Sequence, residues 1–88
     1  MIYNFKNVFD AVDELVKNGR PITAVRLCEE LAHSTTGEKR KQTYGKAAEI
    51  YENNLHMYGD AARCYNLADI PEKAEQMSKA SFIHEQSK

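Results

Sequence analysis

Apolar positions recur every three and four residues along nearly the whole chain, which is the period of one face of an α-helix. The first such stripe is Phe5, Val8, Phe9, Val12, Leu15 and Val16. It predicts a helix over about 4–18, with Asn4 as its N-cap and Gly19 as a left-handed stop. Pro21 opens a second helix over 21–33, because proline's missing N–H is not needed in a first turn. Its stripe is Ile22, Val25, Cys28, Leu31 and Ala32, with Ala24 beside it. Ser34 to Gly37 reads as a loop, and Thr35 with Glu38 has the spacing of a capping box for a third helix over 38–54. That helix carries Tyr44, Ala47, Ala48, Tyr51 and Leu55 on one side, and Asn53–Asn54 is the expected stop, since asparagine tolerates the left-handed geometry. A fourth helix follows over 57–68, with Tyr58, Ala61, Ala62, Tyr65 and Ala68 on overlapping faces. Asp69 and Glu72 give a second capping-box spacing around Pro71, for a fifth helix over 70–85 that turns Ile70, Ala74, Met77, Ser81 and Phe82 inward. No segment alternates with period two, so no strand is expected. The first connection is about two residues long, a length that forces an antiparallel pair. The expected fold class is all-α, five antiparallel helices in a single domain.

The stretch from Tyr44 to Ala68 holds a rule of its own. Tyr44, Ala47, Ala48 and Tyr51 on the third helix face Ala61, Tyr65 and Ala68 on the fourth. Alanines let two helix backbones come close, and the tyrosines fill the adjacent holes while keeping a hydroxyl near water. Helix 1 repeats the spacing with Val8, Ala11, Val12 and Leu15, and helix 2 with Ala24, Cys28 and Leu31. Ala24 and Ala61 lie 37 residues apart (61 minus 24), near the period of about 34 of a helical hairpin repeat.

On Ala48-Glu49-Ile50-Tyr51-Glu52 followed by Ala61-Ala62-Arg63-Cys64-Tyr65, the chain resembles the tetratricopeptide repeat family, in the flavour of the soluble NSF-attachment proteins. The resemblance covers about one repeat well. It departs in a longer turn between helices 3 and 4, in the lack of a tryptophan, and in Val12 and Ala48 at the usual glycine position. It implies stacked α-hairpins, with helix 5 as the cover that shields the last apolar face. It also implies a groove lined by the first helix of each pair, here Lys6, Phe9, Asp13, Gln42, Glu49 and Glu52. Such a groove is mostly acidic and suits a basic or mixed peptide, or an amphipathic helix, of a partner protein. The clamp that some family members close on a C-terminal carboxylate is not present. An open end of a short array also invites self-association as a homodimer.

Composition narrows the partners. Over 88 residues, 42% are hydrophobic and 28% charged, the balance of a folded soluble domain, and a formal net charge of −1 provides no overall field toward nucleic acid or anionic membranes. No apolar run approaches the ~20 residues of a membrane span, and no signal pattern opens the chain, so a cytoplasmic protein is expected. Cys28 and Cys64 stand far apart with no Cys/His cluster around them, which points to two reduced thiols and neither a metal nor a cofactor.

Candidate chemistry is sparse. His33, His56 and His84 share no metal-ligand spacing, and Asp10, Asp13 and Glu14 read as a solvated helix face. Lys39, Arg40 and Lys41, with Lys46 beyond, are the one concentrated positive charge, and they open helix 3 against its dipole. They are the basis of a first alternative, a nucleic-acid or acidic-surface binder. Arg26 and His33 bracket six residues, a spacing that loosely resembles the helical nucleases called HEPN domains, in which a histidine serves as acid or base and an arginine steadies phosphate charge. Glu29 and Glu30 beside them would repel a phosphate, so a nuclease stands as the second alternative. The leading expectation is a non-enzymatic protein–protein interaction module.

Overall fold

The computed structural model describes the backbone of residues 5–86 and the side chains of 8–84. It contains five α-helices: α1 Phe5–Lys17, α2 Pro21–His33, α3 Gly37–Asn53, α4 Tyr58–Leu67 and α5 Pro71–Gln86. Every boundary falls within one residue of the span read from the apolar period, and the described residues include no strand. Each helix packs chiefly on its neighbours in sequence. The result is a thin slab of 46 × 29 × 14 Å. Asn4 lies outside the described residues.

The interior is built from small residues. Ala24, Ala32, Ala47, Ala48 and Ala61 are wholly closed to solvent, and the rings of Tyr44, Tyr51 and Tyr65 are buried among them. Val8, Val12 and Val25 close the α1–α2 end, each contributing on the order of 1.5–3 kcal/mol by leaving water. Thr43 is the one buried polar side chain among the described residues, and its hydroxyl donates to the Lys39 carbonyl at 2.6 Å. Four expectations for this core need correcting. Ala11, Ile22, Ile70 and Phe82 are all exposed. Val12, Val25, Ala74 and Met77 of the same stripes do reach the interior, whereas Ile70 precedes α5 in the turn and belongs to no helix.

The turns show how each helix is ended. Gly19 takes a φ of 78°, its N–H donates to Val16, and the Arg20 N–H reaches back to Leu15 at 2.8 Å. These two bonds satisfy the last carbonyls of α1 as a Schellman stop. Arg20 then caps α2 through its carbonyl, which accepts from Ala24. The same geometry recurs at the end of α4. Asp69 has a φ of 63°, its N–H donates to Asn66, the Ile70 N–H reaches Tyr65 at 2.9 Å, and the Ile70 carbonyl accepts from Ala74. Asp69 is therefore the stop of α4 and not the N-cap of α5. The turn needs one left-handed residue before Pro71, and of Asp69 and Ile70 only the aspartate adopts that geometry at low cost.

Two other turn expectations fail for related reasons. Thr35 does not box with Glu38, because its hydroxyl donates backward to Ala32 and helps close α2, while Thr36 occupies the N-cap of α3 without a side-chain bond. The stop of α3 is not an asparagine in the left-handed region. Asn54 stays right-handed, the Leu55 N–H reaches back to Ile50, and His56 takes the positive φ of 53° before the Met57 N–H bonds the Tyr51 carbonyl at 2.8 Å.

Candidate partner-binding cleft

A cleft of about 620 Å³ runs along α3, walled on one side by α1 and on the other by the α4–α5 turn. The helical period of α3 places Gln42, Gly45, Lys46 and Glu49 along its floor, since positions three and four apart share a face. Phe9 enters half-buried from α1. Tyr65, Ala68, Asp69 and Ile70 close the far wall. Gly45 keeps the floor low: a methyl group there would stand 3.8 Å from the Ala68 side chain, so a larger side chain would fill the cleft.

Charges in the cleft are paired across elements. Lys46 meets Asp13 of α1 at 2.5 Å, and Lys41 meets Asp69 at 3.5 Å and Glu38 at 3.8 Å. Glu49 is exposed on the cleft floor and has no ion-pair partner among the described residues. Tyr65 turns its hydroxyl away from the cleft to donate to Glu52 at 2.6 Å. Burial first, and then that carboxylate, push the Tyr65 phenol above its ordinary pKa, so it stays a neutral donor.

The residues expected in a groove divide accordingly. Phe9, Gln42 and Glu49 line the cleft, and Asp13 reaches it through Lys46. Glu52 is not on the wall; it is held by Tyr65 and by Lys73 at 3.7 Å. The side chain of Lys6 lies outside the described residues. The basic run also divides. Arg40 lies over the Tyr44 ring at 5.7 Å, Lys41 and Lys46 are ion-paired inside the cleft, and Lys39 alone is exposed without a charged partner among the described residues. Sequence reasoning missed Glu38, Gly45, Tyr65, Ala68, Asp69 and Ile70 as cleft residues. Four of them come from the α4–α5 end, and the signal that could have found them is the Gly19-like turn at Asp69, which sets that end against α3.

The other candidates sit elsewhere. Arg26 and His33 are both exposed on α2, and Glu29 between them is taken up by Arg63 and Tyr51. Cys28 and Cys64 are buried and unbonded, with burial pushing both thiols up to about 12, far from the thiolate needed for reaction. Among the described residues no three His, Cys, Asp or Glu side chains are placed to hold a metal ion, and no described helix is long and apolar enough to cross a membrane.

No family model, no curated protein and no solved structure matches this chain. The cleft is therefore read from its own geometry. It offers apolar surface from Phe9 and Ile70, one unpaired carboxylate, an amide at Gln42, and two lysines already neutralised by neighbours. Those groups could engage a ligand through apolar contact and charge.

Proposed function

We propose that this chain is a non-enzymatic protein–protein interaction module built of antiparallel, tetratricopeptide-like hairpins, and that the α3 cleft holds a segment of a partner protein. The observation that carries the reading is the convergence of Phe9, Gln42 and Glu49 with the α4–α5 turn around a cleft of about 620 Å³. Sequential packing of helices into a slab only 14 Å thick supports a stacked arrangement over a closed bundle. The ligand that suits the cleft is a basic amphipathic helix: its apolar side meets Phe9 and Ile70, and a lysine or arginine meets Glu49. An acidic or nucleic-acid ligand on Lys39–Lys41 draws less support, because Arg40 and Lys41 already have partners within the fold.

Calorimetric titration with two synthetic amphipathic helices, one basic and one acidic, tests this. The basic peptide is expected to bind and to lose about tenfold in affinity with Glu49→Lys. Preference for the acidic peptide, abolished by Lys39→Glu, would transfer the function to the basic run.

A further inference from the structure

The turn joining α4 to α5 repeats the turn joining α1 to α2, hydrogen bond for hydrogen bond, fifty residues later (69 minus 19). This correspondence lets α5 be compared with α2 position by position. Ala24 and Ala74 are both buried against the preceding helix. Val25, Cys28, Glu29 and Ala32 of α2 lie on the side that α3 covers, where Glu29 accepts the Tyr51 hydroxyl. Their counterparts on α5 are Glu75, Ser78, Lys79 and Phe82, and all four are exposed. Phe82 is 64% exposed at the position where Ala32 is wholly buried. Together with Ile83 these residues border a shallow hollow of about 400 Å³. The face that receives a helix on α2 is open on α5.

We propose that this face of α5 docks the same face of a second copy of the chain, antiparallel about a two-fold axis. Charge decides the occupant. At about 100° per residue, Glu72, Glu75, Lys79 and Phe82 fall within one stripe of the helix surface. A two-fold axis level with residue 77 sets Glu75 of each copy against Lys79 of the other, twice over. It also lays Phe82 across the first turn of the opposite α5, at Pro71 and Glu72. A parallel arrangement would instead put Lys79 on Lys79 and Glu75 on Glu75. On α2 the Tyr51 hydroxyl donates to Glu29; Lys79 at the matching position cannot accept that bond, and its positive charge instead favours an anion. Glu75 of a second copy supplies one. Within one copy, Lys79 and Glu75 pair at 3.4 Å with side chains 73% and 71% exposed, where such a bond contributes little. Docking replaces it with two pairs flanked by buried Phe82. One helix per copy is a small interface, so the dimer is weak and concentration-dependent, and its two-fold closure stops assembly at two.

Sedimentation velocity, followed up to about 1 mM protein, tests the proposal. The wild-type chain is expected to pass from monomer to dimer. Glu75→Lys and Lys79→Glu should each stay monomeric with unchanged helical circular dichroism, while an equimolar mixture of the two regains a dimer, because the reversed charges are complementary between copies. Phe82→Asp should weaken the wild-type dimer by about tenfold or more. A monomer throughout that range overturns the proposal and leaves the face to a helix of another protein. A dimer indifferent to both charge reversals overturns the two-fold geometry.

Discussion

Glu29 and Glu52 are used alike, one helix apart. Each accepts a phenol from the following helix, Tyr51 at 2.5 Å and Tyr65 at 2.6 Å, and each meets a cation from the helix after that, Arg63 or Lys73. The two junctions differ in the cation. Arg63 grips Glu29 with two N–H bonds at 2.8 and 3.2 Å, and a third contact ties it to Asp60 at 3.4 Å. Lys73 stands 3.7 Å from Glu52 and spreads its charge over the Tyr65 ring as well. A guanidinium matches both oxygens of a carboxylate, whereas an ammonium on a flexible stem is a point charge. Burial pushes the Glu29 carboxyl up, but hydrogen bonds from Arg63 and Tyr51 outweigh it and hold the group below its ordinary pKa. The contrast shows how firmly each helix joins the slab. The middle, α2 to α4, is locked by a bidentate pair; α5 is attached by a looser one, and it is α5 whose outer face remains open.

The comparison depends on helix α4 lying close against its neighbours, so the variant that disturbs it most is Ala61→Leu. Ala61 has no exposed surface, and overpacking should cost about 1–3 kcal/mol in urea unfolding. A neutral result would mean that α4 does not sit at a close crossing. Next in size is the difference between the two junctions themselves. Glu29→Ala should cost about 1–2 kcal/mol, and Glu52→Ala about 1 kcal/mol or less, with the half-exposed Arg63 keeping the first figure from rising further. Equal losses would erase the distinction drawn between them.

Smaller effects sharpen the same contrast. The folded-state pKa of Glu29 is depressed, so its contribution is full above its ordinary value near 4.5 and is lost as the pH falls through the lower folded value. The stability gap between wild type and Glu29→Gln should be constant at neutral pH and shrink in acid; a gap that widens in acid would contradict the sign. Smallest of all, Lys73→Arg should give Glu52 the fork that Glu29 already has and stabilise the chain by a few tenths of a kcal/mol. If thermal unfolding shows a loss instead, the α5 junction is limited by backbone placement and not by the cation.

Much of the fold was legible because each helix has its own apolar stripe and its own punctuation. Gly19 and Pro21 marked the first turn, and the alanines and tyrosines between Tyr44 and Ala68 marked the interior. The turn at Asp69 was misread because two local rules compete for that residue. The spacing to Glu72 favours an N-cap, while the short connection after α4 demands a left-handed stop, and closing α4 takes precedence. The better signal was the parallel between Gly19-Arg20-Pro21 and Asp69-Ile70-Pro71, each followed three residues later by a buried alanine. The cleft was half legible. Phe9, Gln42 and Glu49 followed from helix period and resemblance, but its far wall comes from the α4–α5 turn, whose only sequence signal is the Gly19-like stop at Asp69.

The period of apolar residues and the turn-forming residues determined, from the sequence alone, five helices and where each one ends, because those are interactions between residues a few positions apart. Tertiary structure decided which charges are spoken for. Glu29 finds Tyr51 and Arg63 22 and 34 residues away, and Lys41 finds Asp69 across 28. The basic run that reads as a free patch is thereby neutralised in part, at Lys41 and Lys46, and Glu29 becomes a junction of three helices. Such pairings depend on which helix faces lie within a few ångströms of one another, and only the packed chain sets that distance.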